Sequence, residues 1–444
     1  MSSFLFGLYP GPRFLTGLAC CVGLLIFFFI IGLPSWTALI VIGVWLSYSA
    51  FEVAILFGKE SGIVGHREMA ARFSNGDANV VNIYLQSKFS KTVRIEIIDE
   101  LPFLFQIRDL SHLYKLTAFE NYTWSYTLKP VRRGNYEFGN TLILVGWGLG
   151  FWQRKISFNN PATVAVYPSF LQMSKYELMA FGNNASERGL RKLPKRGVGL
   201  EFEQIKKFAL GDDIRQINWR ATARHGDVMV NQYTEEKSQN IYQCIDKGRL
   251  MAFPFDNMYL LDYAINAALM LSNIVLKKGD KAGLMCFDNK VSTHITASKS
   301  RSALHHILEH LYHVDTEFNN ADHEKLSLWT LAKLNQRSLI FLYTYFVNFE
   351  SYKRKEKHLH AISKKHLLIV IIFKNTGLDQ LIHQKSKNMR DLYEQVLAEQ
   401  QWIEQLHIQK RLRTLGIECV LTTPENLGVD SLNKYLELKA LGKI

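Results

Sequence analysis

Two stretches decide the fold: SLIFLYTYF at residues 338–346 and HLLIVIIF at residues 366–373. A strand wetted on one face alternates apolar and polar residues. A strand covered on both faces reads as a nearly continuous apolar run. Both stretches are of the second kind, so they predict the middle of a sheet with helices on either side. Working outward, strands and helices take turns from Gln239 onward. QNIYQCID (239–246) predicts a strand, and Met258 to Lys277 predicts a helix with Leu261, Ile265, Ala268, Leu269 and Leu276 apolar. KAGLMCF (281–287), a DNK turn and VSTHITA (291–297) follow, then a helix from about Arg301 to His313. A long helix from about Lys387 to Leu415 stops at Gly416, as a helix C-terminus should. IECVLTT (417–423) and a helix near Ser431 to Leu441 close the chain. This alternation predicts an α/β domain over 239–444, a doubly wound sheet with helices on both faces. No G-x-G-x-x-G or G-x-x-x-x-G-K-[ST] follows any of these strands, so the sequence gives no support to a dinucleotide or P-loop site.

Upstream the pattern changes. From about residue 61 to 170, short runs such as NVVNIYLQS, KTVRIEIIDE, YTWSYTLKPV, NYEFGNTLILV and PATVAVYP alternate with period two between Gly, Asn and Pro turns. They predict an all-β sandwich domain. Residues 1–60 hold two apolar runs, Phe14 to Leu33 without a charge and Trp36 to Phe57 with Glu52 as its sole charge. About 20 apolar residues span a bilayer, so these predict a two-helix transmembrane hairpin. A signal peptide fits worse, given the apolar length, the thin positive n-region and the immediate second run. The short Leu33-Pro34-Ser35 link returns the chain to its starting side. Arg13, Lys59, His66, Arg67 and Arg72 place that side in the cytoplasm. Glu52, near the interface, reads as a snorkelling side chain. Five cysteines (Cys20, Cys21, Cys244, Cys286 and Cys419) show no C-x-x-C and no metal spacing, which suits free thiols in a reducing compartment. The formal charge of +13 suits nucleic acid or an anionic membrane face.

Residues 171–238 join these parts. They begin with a basic linker containing RGLRKLPKRGVG (188–199) and end in GDDIRQINWRATARHGDVMVNQYTEE (211–236). Asp213 and Gln216 have capping-box spacing, Asp212 suits the positive end of a helix dipole, and Gly211 allows a tight entry. The expected helix runs from about Ile214 to Arg224, with Arg215 and Trp219 placed to stack. His225 would stand at its C-terminus, before a strand DVMVNQYT. Asp212 and Asp213 could instead bind a divalent ion or act as acid and base, although adjacent side chains at a helix start diverge. Arg215, Arg220 and Arg224 could grip phosphate. Asp212, Asp213, Asp227, Glu235 and Glu236 offset them, and that mixture favours a salt-bridged joint or a protein contact surface over a nucleic-acid groove.

The run GDDIRQINWRATARHGDVMVNQYTEEKSQNIYQCIDKGRLM (211–251) resembles the signature of a bacterial family, the domain of unknown function 58. Gly211, Asp212, Asp213, Arg215, Trp219, Arg224 and Glu236 carry the likeness, in a structural role; Phe208 departs from the family's Tyr. The resemblance implies two membrane spans, a β-domain and a von Willebrand factor A-like sheet. It further implies a bacterial inner-membrane protein with cytoplasmic domains, partnered by a MoxR-type AAA+ ATPase. A-type domains that hold Mg²⁺ use D-x-S-x-S after the first strand, plus a Thr and an Asp on later loops. Here Asp246 remains, but Gly248 and Leu250 stand at the two Ser positions, and Tyr345 follows Thr344 where Asp is common. Asp288 falls in a hairpin turn. The expected metal site is therefore degenerate, with no metal, cofactor or catalytic residue. The leading expectation is a membrane-anchored, non-enzymatic scaffold or adaptor. Its protein-binding candidates are Asp246, Gly248, Arg249, Thr344 and Tyr345, at the carboxyl ends of the strands. The alternatives are a metal-dependent hydrolase using Asp212, Asp213 and Asp246, or a basic module for nucleic acid or lipid.

Overall fold

In the computed structural model the strand pattern resolves into two mixed assemblies, and the chain divides into two compact units, Met1–Tyr167 and Pro168–Ile444. The structure describes residues 7–11, 13–32, 34–58, 62–169, 201–209, 212, 214, 217–234, 238–256, 258–374, 381–382 and 388–444. The basic linker, and Gly211, Asp213, Arg215 and Glu236 of the signature, lie outside the described residues.

The first unit opens with β1 (Leu8–Pro10) and two apolar helices, α1 (Phe14–Ile31) and α2 (Ser35–Leu56), which pack against each other. α1 is long and apolar enough to cross a membrane, and Ile40–Leu56 is a shorter apolar helix. Then come β2 (Ile63–Met69), β3 (Arg72–Ser74), β4 (Asn79–Ser87), β5 (Val93–Asp99), β6 (Ser111–Leu116), β7 (Asn121–Leu128), β8 (Gly134–Phe138), β9 (Thr141–Gly146), β10 (Trp152–Phe158) and β11 (Ala162–Tyr167). They form sheets ordered β1-β10-β9-β5-β6, β2-β4-β7 and β3-β11-β8. Every pairing is antiparallel except β3 with β11. Alternate residues of β4 and β5 face inward, and Val81, Ile83, Ile95 and Ile97 join Phe73, Tyr136, Ile143 and Val166 in one core. This is the sandwich-like packing that period two anticipates. Arg67, counted above among the cytoplasmic charges, is instead consumed inside it. Its guanidinium pairs with Asp99 at 2.7 Å and donates to the carbonyls of Gly139 and Asn160 at 3.0 and 2.6 Å.

The second unit begins with β12 (Glu201–Lys207) and β13 (Met229–Thr234), an antiparallel pair with α3 (Trp219–His225) between them. Next are β14 (Asn240–Asp246), the two-residue strands β15 (Pro254–Phe255) and β16 (Met258–Tyr259), α4 (Leu260–Lys277), β17 (Lys281–Phe287), β18 (Val291–Ser298), α5 (Arg301–His313) and α6 (His323–Lys333). β19 (Leu339–Thr344), α7 (Phe349–Lys365), β20 (Leu367–Phe373), α8 (Met389–Thr414), β21 (Glu418–Thr422) and α9 (Leu427–Ala440) complete it. The sheet order is β18-β17-β14-β19-β20-β21, all parallel except the edge strand β18. α4, α5 and α9 cover one face, and α6, α7 and α8 cover the other. β19 is buried along its whole length and β20 is buried after its first residue, which explains their unbroken apolar runs. The doubly wound α/β expectation is met in this mixed α/β form.

Candidate functional site at the carboxyl ends of the strands

Strand order reverses between β14 and β19. In an open α/β sheet that reversal leaves a crevice at the carboxyl ends, the usual place for a ligand. Asp246 ends β14 and Thr344 ends β19, so both stand at this point. Asp246 is 2% exposed, yet both its oxygens are used. Oδ1 accepts the Gly248 N–H at 2.8 Å, and Oδ2 accepts the Thr344 hydroxyl at 2.7 Å. Burial pushes its carboxyl above the usual range; these two donors and the positive charge of Lys355 oppose the rise, and Asp288 adds to it. Lys355 is itself pushed down by burial, with Asp246 pulling the other way, and its Nζ lies 5.4 Å from the Phe346 ring centre.

A second charged group sits beside the first. Lys247 is buried and reaches Asp288 at 3.3 Å and Glu317 at 3.2 Å. Asp288 occupies the β17–β18 hairpin turn, as the sequence suggested, and also accepts from the Lys290 N–H and the Asn319 amide. Burial alone would raise Asp288; these donors and Lys247 outweigh it and hold the carboxyl below its ordinary value. The loop 315–322 folds over this pair and is fixed by Arg249 N–H to the Asn319 carbonyl at 2.8 Å and Asp322 N–H to the Asp288 carbonyl at 2.7 Å. His323, which starts α6, is buried against Phe287, and burial pushes its imidazole down to about 3. Its Nε2 has no hydrogen-bond partner among the described residues.

The chemistry of this arrangement is self-neutralising. A divalent ion needs several free oxygens in one shell, whereas each carboxylate here is committed to donors or cations of the protein. Among the described residues no three His, Cys, Asp or Glu side chains form a group that could hold a metal ion. Of the five candidates named from sequence, Asp246, Gly248, Thr344 and Tyr345 are buried and only Arg249 is exposed. Sequence reasoning missed Lys247 and Lys355, which supply the positive charges, Glu317 and Asn319, which bond to Lys247 and Asp288, and the neutral His323 beside them. Lys247, flanked by Asp246 and Gly248, carried the one local signal, a cation inside the D-x-S-x-S frame.

The signature segment is built differently from expectation. The helix starts at Trp219, five residues later than predicted, and Asn218 caps it by accepting the Ala221 N–H at 3.0 Å. Asp212 is no helix cap: it accepts the Ala209 N–H at 2.9 Å and pairs with Lys206 at 2.7 Å. Its carboxyl is held low, first by Lys206 and then by that N–H. The helix does end at Gly226, whose φ of 75° is the left-handed conformation a C-terminal glycine supplies. Trp219 is 72% exposed and Ile214 71%, so these two large apolar side chains do not fill a packed joint, although Val230 of the same run is buried. Arg224 is exposed too. Asp212 and Asp246, two of the residues a hydrolase would use, share no partner among the described residues.

A family model described as "Protein of unknown function DUF58" matches residues 204–395. The chain is similar to the uncharacterized protein YeaD of Bacillus subtilis (strain 168), 23% identical over 189 residues. That match covers 43% of this chain and 45% of the relative, so it spans less than half of that protein's length. Among solved structures, BatB from Bacteroides thetaiotaomicron is 12% identical at a TM-score of 0.27, covering 46% of this chain and 98% of that one. The CARDB domain of a Pyrococcus furiosus protein is 8% identical at a TM-score of 0.18, covering 24% and 90%. Residues 204–395, with the signature run at 211–236 inside them, thus match the DUF58 family model, in agreement with the resemblance carried by that run.

Proposed function

We propose that the protein is a non-enzymatic adaptor, anchored in a bacterial inner membrane by α1 and α2, whose cytoplasmic α/β unit docks a protein partner. The reading takes the sheet as von Willebrand factor A-like, as the family resemblance implies, and the order reversal between β14 and β19 with helices on both faces supports it. One observation carries the docking role: a sealed polar centre beneath exposed apolar side chains. Phe253, Phe318 and Val347 are 50%, 65% and 43% exposed, all on segments that follow or cover the strand carboxyl ends. Phe253, Phe255, Leu260, Tyr345, Phe373 and Lys374 line a shallow hollow at that edge. α8 enters from the same edge, where Lys374 stacks over Trp402 at 4.4 Å, and exposes Tyr393, Val396 and Ile403. Monomeric surfaces rarely gather so many apolar groups, and such groups mark protein contacts. Arg249 supplies the accessible charge, while Asp246, Gly248, Thr344 and Tyr345 hold the edge rigid from below.

The family resemblance makes a MoxR-type AAA+ ATPase the expected partner. The test places a photo-crosslinking residue at Phe253 or Phe318 in cells, with Arg337 at the opposite strand end as control. Crosslinks to an AAA+ ATPase from the first two positions alone support the reading. The same pattern from all three positions, or none from any, sinks it.

A further inference from the structure

The sequence reading of Glu52 as snorkelling does not survive. Glu52 is fully buried, and its carboxylate collects three successive backbone N–H groups from the turn between β9 and β10. Oε1 accepts from Gly150 at 3.1 Å, and Oε2 accepts from Phe151 at 3.0 Å and Trp152 at 3.3 Å. One turn earlier on α2, the Tyr48 hydroxyl accepts the Leu149 N–H at 3.1 Å, and Ser49 accepts the Trp152 indole N–H. Gly148, at φ 58°, lets the turn approach this closely: a Cβ there would stand 2.5 Å from the Tyr48 hydroxyl oxygen.

Depth along α2 gives this contact its meaning. Tyr48 and Glu52 lie 13 and 17 residues beyond Ser35, the start of α2. At 1.5 Å per residue they stand about 20 and 26 Å along the helix. A hydrocarbon core is about 30 Å thick. If the link at Pro34 reaches the far interface, both residues are still inside the near leaflet, and so is the turn they hold. The turn's composition fits that depth. Trp147-Gly148-Leu149-Gly150-Phe151 contains no charge, Leu149 is 47% exposed, and Trp147 packs edge-on to Phe51 at 5.7 Å. Backbone N–H groups in lipid have no water to satisfy them, and here the helix supplies acceptors for four in succession. Cations sit around its base, with Lys91 Nζ 5.1 Å from the Trp147 ring centre and Arg94 donating to the Gly148 carbonyl.

We infer that the β9–β10 turn is a third membrane-inserted element, with Leu149 and Trp147 in contact with acyl chains and Lys91 and Arg94 at the level of the lipid phosphates. The inference rests on the membrane reading of α1 and α2. Glu52 then serves as the acceptor that lets a bare turn enter lipid, and it is shielded from lipid by that same turn.

The experiment uses the full-length chain in phosphatidylcholine–phosphatidylglycerol nanodiscs. An environment-sensitive fluorophore is attached at Leu149→Cys, Phe27→Cys or Phe103→Cys, one at a time, with Cys20 and Cys21 replaced by Ala. Phe27 is 55% exposed on α1; Phe103 is 83% exposed beyond the opposite end of β5. Probes at 27 and 149 should show blue-shifted emission and loss of quenching by aqueous iodide, while 103 stays quenched. A deep probe at 27 with a water-exposed probe at 149 overturns the inference and leaves the anchor intact. Water-exposed probes at both positions overturn the anchor as well. A lipid-borne diazirine acts on the native turn without substitution: labelling of the peptide around 147–153 supports insertion, and its absence beside a labelled α1 refutes it.

Discussion

Gly248→Ser tests whether the strand-end centre has been closed by structure or merely by the loss of hydroxyls. The substitution puts Ser at a position where metal-binding A-type domains carry one. The backbone tolerates it, since φ −68° and ψ 168° suit any residue. Space does not. A Cβ at 248 would lie 3.0 Å from the Ala321 nitrogen, 3.0 Å from Asp246 Oδ1 and 3.1 Å from the Ala321 Cβ. Ala321 cannot simply swing away, because both flanks of its loop are tied to Arg249 and Asp288. Overpacking of this kind costs about 1–3 kcal/mol, and each kcal/mol shifts the midpoint of a large domain by about 2–4 °C. A fall of roughly 2–12 °C is therefore expected, shared by Gly248→Ala, which adds the Cβ without the hydroxyl. The assay is thermal unfolding of the full-length chain in nanodiscs, with and without Mg²⁺. A restored site filled at a hundred times its Kd would return about 2.7 kcal/mol. A serine variant that melts like wild type without metal, or recovers on adding Mg²⁺, refutes the reasoning.

Asp246→Asn should be tolerated within about 1 kcal/mol, because the amide can accept from Gly248 and donate to the Thr344 oxygen. With its carboxyl raised by burial, wild-type Asp246 contributes stability below its ordinary 3.8 that is lost as pH rises through the raised value; the variant's melting curves should lack that loss. Lys247→Met strips Asp288 of its cation and should cost a few kcal/mol, toward the lower end of the range for broken buried pairs because two donors remain. Asp288 is held low, so its share is complete above 3.8 and disappears as pH falls through the lowered value; melts from pH 7 to 3 should show the variant losing this slope. Trp219→Ala should change the melting point little, within about 0.5 kcal/mol, because the ring is largely exposed; a loss several times larger would mean that it fills a packed joint after all. Glu52→Ala leaves the Phe151 and Trp152 N–H groups without their acceptor, at about 1–3 kcal/mol each. Limited proteolysis near residue 150 in detergent should accelerate in this variant, and unchanged cleavage would show that the turn does not depend on the carboxylate.

What could be read in the sequence was whatever depends on residues close together in the chain. β19 and β20 were legible because burial on two faces writes itself into consecutive residues, and α8 was legible by its glycine stop. α6 and α7 were not anticipated. FESYKRKEKHLHAISKK buries only Tyr352, Leu359 and Ile362, too thin an apolar stripe to stand out among so many cations. In the signature, Asp213 and Gln216, which have the spacing of a capping box, lie outside the described residues; the helix that is described is capped by Asn218, which also reaches Asn231 on β13 at 2.8 Å.

The two buried carboxylates show where such reading stops. From their neighbours, Glu52 reads as a snorkelling charge at the end of an apolar helix and Asp246 as a remnant metal ligand. Each turns out to be an acceptor for groups that the fold delivers. The N–H groups on Glu52 come from 98 to 100 residues away, and the hydroxyl on Asp246 comes from 98 residues away. An ionised carboxylate is costly to bury and is kept only where donors meet it. Its role is thus set by what arrives from a distance, about which the local sequence is silent. The same physics separates the two cases. Around Asp246, the charge of Lys355 and the donors Thr344 and Gly248 occupy the carboxylate, with apolar groups at the rim as the surface proposed for a partner. Around Glu52 the donors among the described residues are backbone N–H groups, an arrangement that also serves a turn that water does not reach. On the two proposals above, the first carboxylate lets a turn face lipid and the second stiffens an edge that faces protein.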